Sequence, residues 1–524
     1  MNSKFQELID EITRRRSQPE DMYEVAAIIE SIGWSDDRVS EVFGVENVFA
    51  LASDLWDAIR ERVVYTPYQS VEKKGFFSTV SDLTRNFLRG LIFALPMAIS
   101  VFSMLTLRFS LWSYENLTLE LATSIAIGTI MSFLTVGGFT QSIARRGFFY
   151  ITMDYYNMAR RMTFSFIKIG YAVTIIIALA FFFFNSFFEV FPLRMTATIV
   201  LYYFFLTAIW LSVTVMYILR RELAFTGLLV SGIALVYVLF RIFELDIIIS
   251  QLISLVVVSI SGMALVMHFF RKAEKKLEKG ISPTLPRLSI TIYSVMPYFI
   301  YGFLYFAFLY VDRIIAWSTN NKDYMPYLIW FRGPYELGLD FALLMLMFPM
   351  GVIEVVITKL MQDLEITQKF SSMKDVGSLA KSYVKMYINR VILILLVSIA
   401  TAIMVYIAAR YIDNGFLFGR QSGYFENGVT HFVFIAALTG YSVFSLALMN
   451  AIILFSLSQP EMVNKSILPA LIVNLVIGFL LSRWIDHSYA VLGMLAGSVV
   501  FSALTTDKVL KVIRNLDYYL YAIV

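Results

Sequence analysis

Twelve long apolar stretches divide most of this chain, at about 87–107, 117–139, 163–186, 195–217, 223–241, 246–270, 290–314, 338–359, 390–410, 429–456, 466–482 and 488–506. No other feature constrains the fold as tightly. A helix needs about 20 mostly apolar residues to cross a hydrocarbon core about 30 Å thick. Within lipid, only helices and closed barrels satisfy every backbone N–H and C=O. These stretches are too long and too evenly apolar for barrel strands of about 10 alternating residues. The expected fold class is all-α: a polytopic membrane protein with about 12 transmembrane helices. Length alone, 524 residues, would suggest several soluble domains, but 58% of the residues are hydrophobic and 16% charged, so lipid replaces water as the solvent.

The loops carry a charge bias that tests this reading. On one side fall Arg145, Arg146, Arg160 and Arg161, then Arg220 and Arg221, then the run Arg271 to Arg287, and later Lys359 to Arg390, Lys465 and Lys508 to Arg514. That side holds about 22 basic residues against about 9 in the alternate loops, among them Arg108, Arg194, Arg241 and Arg332. The positive-inside rule makes the richer side cytoplasmic, with both the N- and C-termini there. Adding or losing one span would reverse every later loop and destroy the agreement. The net charge of +4 therefore reports topology and lipid contact, and no nucleic-acid partner is expected.

The spans fall into two sets of six around a basic, proline-containing break. The expected organisation is a cytoplasmic helical domain at 1–66, a first six-helix lobe at 67–270, a linker at 271–289 and a second six-helix lobe at 290–524. Two lobes around a central path suit alternating access, although no residue-by-residue repeat between the halves is visible. The N-terminal domain reads as a small bundle. Met22, Val25, Ile28, Ile29 and Ile32 recur at helical spacing and Gly33 stops the run, while Phe49, Leu51, Leu55, Trp56 and Ile59 mark a last amphipathic helix. With about 14 acids against 7 bases, this domain would be repelled by anionic lipid. It is a solubilising appendage or a docking module for a cytoplasmic partner. No cleavable signal is expected, since the first apolar run begins only near Phe87.

Several chemistries are excluded. The chain has no cysteine, no G-x-x-x-x-G-K-[ST] and no H-E-x-x-H, and its three histidines, His268, His431 and His487, lie far apart in sequence. No cofactor, metal or catalytic residue is expected, and the chain reads as no enzyme. Charged groups inside spans cost about 3 kcal/mol on insertion scales, so each merits a functional hypothesis. Asp340 and Glu354 are fourteen positions apart, close to four turns, and share a face, with Glu336 one turn before Asp340. Such a face could meet a cationic substrate or relay protons. Alternatively, its acids are neutralised by Arg313 or Arg89, or reach the interface. The rings Tyr301, Tyr305, Tyr310, Trp317, Tyr324, Tyr327 and Trp330 suit either the flat faces of sugars or an interfacial anchoring belt. Lys374 to Arg390 reads as a basic amphipathic helix on the cytoplasmic leaflet, or as a coupling surface for a partner enzyme.

The run YGFLYFAFLYVDRIIAW from Tyr301 to Trp317 resembles the seventh span of the Pel-type exopolysaccharide transporters. So do Gly333-Pro334-Tyr335-Glu336, the following span with Pro349 and Gly351, the stretch Tyr489 to Gly497 and the tail Lys508 to Tyr521. The first half is similar more loosely, through segments such as Gly137-Gly138 and Arg145-Arg146. The resemblance implies a place in the superfamily of multidrug, lipid-linked oligosaccharide and polysaccharide flippases. It also implies export of a polysaccharide or lipid-linked glycan across the cytoplasmic membrane, beside a cytoplasmic glycosyltransferase and other membrane subunits. The acidic N-terminal domain departs from that pattern. Candidate groups along the substrate path are Arg89, Asp312, Arg313, Trp317, Tyr335, Glu336, Asp340 and Glu354. A cation-coupled multidrug antiporter and a non-transporting scaffold for cytoplasmic enzymes are the alternatives.

Overall fold

The computed structural model describes residues 3–15, 19, 21–65, 76–114, 116–153, 155–277, 287–320, 327–370, 376–414 and 423–521. The chain separates into two compact units, 1–81 and 82–524. In the first, helices α1 (Ser3–Arg15), α2 (Met22–Ser31), α3 (Asp36–Phe43) and α4 (Val48–Tyr65) enclose Leu8, Ile12, Val25, Ile29, Leu51, Leu55 and Ile59. Asp21 sets the start of α2 by accepting from Glu24 N at 2.8 Å, and Gly44, at φ 68°, ends α3. Phe49 departs from expectation. It is exposed, beside Tyr23 with ring centroids 6.3 Å apart, because the core side of α4 is filled by Val48, Leu51, Ala52 and Leu55.

The second unit contains α5 (Phe76–Leu107) from residue 82 onward, α6 (Leu119–Thr152), α7 (Tyr156–Phe188), α8 (Leu193–Ile218), α9 (Glu222–Tyr237, extended by a π turn to Ile242) and α10 (Ile247–Leu277). These are followed by α11 (Leu288–Trp317), α12 (Gly333–Leu343), α13 (Met347–Phe370), α14 (Val376–Asp413), α15 (Gly428–Ser456), α16 (Pro460–Trp484), α17 (Val491–Arg514) and the short α18 (Leu516–Tyr521). Eleven helical segments among the described residues are long and apolar enough to cross a membrane, with α12 and α13 together forming one of them. The 32-residue α5 lies over the first expected span. The eighth span is broken by a 3₁₀ turn, Leu344–Leu346, between α12 and α13. Pro349 explains the break: it has no N–H to give and its ring crowds the carbonyl four residues earlier, at Met345. One expectation is corrected here. Residues 376–390 form no separate surface helix but run unbroken into the ninth span as α14. No proline intervenes there, and Tyr383 and Tyr387 are buried in the second lobe rather than laid on a leaflet.

Each half builds its own core. One cluster joins residues from Phe109 to Phe270 together with Val295 of α11, and the other joins residues from Tyr301 to Leu516 together with Ile130 of α6. These are the two lobes. In the first, α6 packs on α7 and α8, α10 packs on α7, α8 and α9, and α8 touches α7 and α9. Shifting every span by six reproduces each pair: α12–α13 on α14 and α15, α17 on α14, α15 and α16, and α15 on α14 and α16. Burial follows the same shift. Spans three and nine (α7, α14) are the most lipid-exposed, with 22% and 17% of their apolar windows buried, while four and ten (α8, α15) are the least, at 61% and 67%. An outward stripe of Ile392, Leu396, Ile399, Ile403 and Ile407 on α14 matches Ile176, Leu179, Phe183 and Phe187 on α7. From the second span to the sixth, the first half is thus repeated in the second, a correspondence the sequence does not display, whereas the packing of α11 on α16 has no counterpart on α5 among the described residues. A six-span shift preserves direction through the bilayer, so the repeat is parallel about the membrane normal.

Two seams join the lobes, and the shift exchanges them. Span two crosses span seven where Gly137 meets Gly302, and span one crosses span eight where Gly90 meets Gly351. A Cβ built on Gly90 would lie 2.7 Å from Gly351 Cα and 2.7 Å from Met350 O. In lipid there is little hydrophobic drive between helices, so small residues that bring backbones together supply the packing.

Candidate functional site

The last turns of α11 and the first turns of α12 hold a cluster of buried charged groups in the second lobe. Gly333-Pro334 starts α12, the proline supplying a φ already suited to a first turn and Glu336 lying where the helix dipole favours an acid. Glu336 and Asp340 then stand one turn apart on the same face. On α11, Asp312 and Arg313 are consecutive and diverge by about 100° around the helix, so each finds a different partner. Tyr335 Oη donates to Asp312 Oδ2 at 2.8 Å. The Arg313 guanidinium donates through one nitrogen to Glu336 Oε2 and through another to Asp340 Oδ1, the latter at 3.4 Å. Trp317 Nε1 donates to the second Glu336 oxygen at 2.9 Å, and the guanidinium lies over the Tyr310 ring, 5.2 Å from its centroid.

Asp312 is 0% exposed, Tyr335 0%, Glu336 5% and Arg313 8%, whereas the Asp340 side chain is 54% accessible. Burying an ion is costly unless it is paired, and here one guanidinium pairs with Glu336 and Asp340 while Asp312 is held by the Tyr335 hydroxyl. Asp312 Oδ1 and Arg313 Nε have no hydrogen-bond partner among the described residues. The cluster therefore has spare capacity for positive charge, reached from the Asp340 side. Among the described residues no group of three or more His, Asp or Glu is arranged to hold a metal ion.

Six of the eight residues singled out by sequence come together: Asp312, Arg313, Trp317, Tyr335, Glu336 and Asp340. Glu354 does not join them. It lies on α13, close enough to Tyr217 of α8 to interact with it electrostatically. The side chain of Arg89 lies outside the described residues. Arg313 is the neutralising partner of both acids on α12, one of the two roles weighed for it. Trp317 and Tyr301 are only 2% and 5% exposed and belong to the core of the second lobe, so neither is part of an interfacial belt. Tyr324 lies outside the described residues. Sequence reading misses Trp112, Phe133 and Trp210, whose rings approach this cluster from the first lobe; they come from three distant segments and no local spacing announces them. A separate groove between α14 and α15, lined by Leu395, Ile399, Ile403, Tyr406 and Leu438, holds no acid.

Comparison with solved structures places this architecture. The eukaryotic MATE transporter AtDTX14 superposes with a TM-score of 0.57 at 13% identity, covering 84% of this chain and 99% of that one. The bent form of the MATE transporter VcmN from Vibrio cholerae gives 0.54 at 12% identity, covering 84% and 99%. The fold is that of the MATE transporters. A MOP superfamily transporter from Pyrococcus furiosus also matches, with a TM-score of 0.54 at 13% identity over 82% of this chain and 96% of that one. No protein-family model matches the sequence, and no curated protein matches it. The MATE fold accounts for the two lobes and the all-helical membrane body, and these solved relatives are transporters.

Proposed function

We propose that this protein exports a glycan, an exopolysaccharide or a lipid-linked oligosaccharide, across the cytoplasmic membrane. In this reading both termini face the cytoplasm and a cytoplasmic glycosyltransferase, with other membrane subunits, supplies the polymer. The observation that carries it is the charge imbalance beside half-buried rings. Three carboxylates against one guanidinium, with Asp312 Oδ1 unsatisfied among the described residues, favour a cargo that brings donors or positive charge. A polymer of partly deacetylated amino sugars brings both, as ammonium groups and hydroxyls. The Pel-type resemblance supports the same cargo. The test is polymer on the cell surface, measured for Asp312→Asn and Asp340→Asn at matched protein levels. Export is expected to fall in both variants. Full export by both removes the acids from the path.

A second reading, cation-coupled multidrug antiport, is favoured by one of the solved structures with this fold, described as a multidrug resistance MATE family transporter, with a TM-score of 0.54. That reading predicts drug efflux with no change in surface glycan on deletion. Glycan export predicts the reverse.

A further inference from the structure

A continuous row of aromatic rings runs from the first lobe to the guanidinium of Arg313. Trp112, in the loop after α5, meets Trp210 of α8 with ring centroids 5.7 Å apart. Trp210 lies 4.7 Å from Phe133 of α6. Phe133 stacks on Phe306 at 5.1 Å and on Tyr310 at 5.5 Å, both from α11. Arg313 covers Tyr310, and Asp340 is bonded to Arg313. Spans two, four, seven and eight thus contribute to one line of contacts.

These rings are not core residues of the usual kind. Phe308 and Phe444, stacked 5.3 Å apart inside the second lobe, are fully buried. All five rings of the row are only half-buried, and Phe133 and Phe306 belong to neither lobe's core. A second observation is independent of the stacking. Trp210 Nε1 is shielded from solvent yet has no hydrogen-bond partner among the described residues. A buried indole N–H normally finds an acceptor, and leaving a buried donor unpaired is costly.

The row offers three things in sequence: ring surface, a donor in need of an acceptor, and carboxylates that accept. A hydrophobic cation without oxygen, such as tetraphenylphosphonium, matches the first and third but offers the indole no acceptor. A short run of linked pyranoses matches all three. A C–H face lies on an aromatic ring, a hydroxyl oxygen accepts from the indole, and another hydroxyl or an ammonium donates to a carboxylate. We infer that Trp210, Phe133 and Tyr310 form a binding platform for consecutive sugar units of a glycan chain, ending beside the Arg313–Asp340 pair. This rests on the glycan reading and adds to it the residues that grip the sugar rings.

The test uses the full chain in nanodiscs and three probes: a glucosamine tetramer, an N-acetylglucosamine tetramer and tetraphenylphosphonium. Binding is measured by calorimetry, with melting temperatures recorded for each variant. Trp210→Phe keeps a ring and removes the donor, so both tetramers are expected to bind about fivefold more weakly, the loss of one hydrogen bond of about 1 kcal/mol. Phe133→Leu keeps apolar volume and removes the stacked ring, and a loss of about tenfold is expected for both. If the wild type binds the tetramers and both variants bind them equally well, the platform is overturned and glycan export stands. If the wild type binds tetraphenylphosphonium and neither tetramer, the glycan reading fails and the platform with it. Binding of none of the three also overturns the platform.

Discussion

The glycine seam between spans two and seven gives the most quantitative prediction, through Gly302→Ala. A Cβ at Gly302 would stand against the carbonyl oxygen of Gly137, 2.5 Å from its carbonyl carbon and 2.8 Å from Gln141 Cγ. Favourable carbon contacts lie at about 3.5–4.0 Å, so α6 and α11 must part by about 1 Å. The main obstacle is backbone, which cannot swing aside as a side chain can. Overpacking of this kind costs about 1–3 kcal/mol, and the better helix propensity of alanine returns about 1 kcal/mol. The control is Gly227→Ala on α9, where nothing lies within 4 Å of the new methyl. There only propensity acts, and stability should rise by up to about 1 kcal/mol. Thermal unfolding of the detergent-solubilised protein, followed by tryptophan fluorescence, compares the two directly. Gly302→Ala should melt below the wild type and Gly227→Ala at or above it. If Gly302→Ala melts alongside the control, the lobes do not meet backbone to backbone at this crossing.

The exchange symmetry makes Gly90→Ala the counterpart, and the same melting assay should show a loss of similar size, since Gly351 Cα and Met350 O occupy its Cβ position. Arg313→Met removes the counter-ion of Glu336 and Asp340; a broken buried pair costs about 3–5 kcal/mol, and adding Glu336→Met should recover part of it, as read by melting of the single and double variants. Arg313→Lys should keep only part of the pairing, because a single ammonium nitrogen lacks the planar fork that meets the two carboxylates through separate nitrogens. Asn450→Leu removes the acceptor for Tyr387 Oη and the donors to Thr505 and Thr506, so the second lobe should lose about 1–3 kcal/mol in the same measurement.

Hydropathy made the helices legible because lipid leaves a chain few other ways to satisfy its backbone. The spans from 117 onward therefore correspond to helices close to where the apolar runs lie, and Pro349 inside the eighth run marks the place of its break. The Arg313 pairing was also readable, since acids one turn apart on a span need a cation within reach. The seams were not. Gly137 and Gly302 are 165 positions apart, and nothing local distinguishes a glycine that meets a backbone from Gly227, which meets nothing. The internal repeat escaped detection for a related reason: it is conserved in which spans touch, and only a few glycines mark it in the residues. Basic residues at the start of α14 imitated a surface helix because their charge pattern is the same whether the segment ends there or continues into the bilayer. Exposed Phe49 shows the converse error, an aromatic counted toward a core whose helix face was already full.

Everything rests on the chain crossing lipid so that successive loops alternate sides. Its lack of cysteine makes the decisive measurement direct: single cysteines at Leu245, Leu328, Met153 and Tyr518, challenged in intact cells with a charged maleimide that does not cross the membrane. The account predicts labelling at Leu245 and Leu328 from outside, and at Met153 and Tyr518 only after permeabilisation. Labelling of Met153 together with Leu328 in intact cells, or of Tyr518 without permeabilisation, would contradict it.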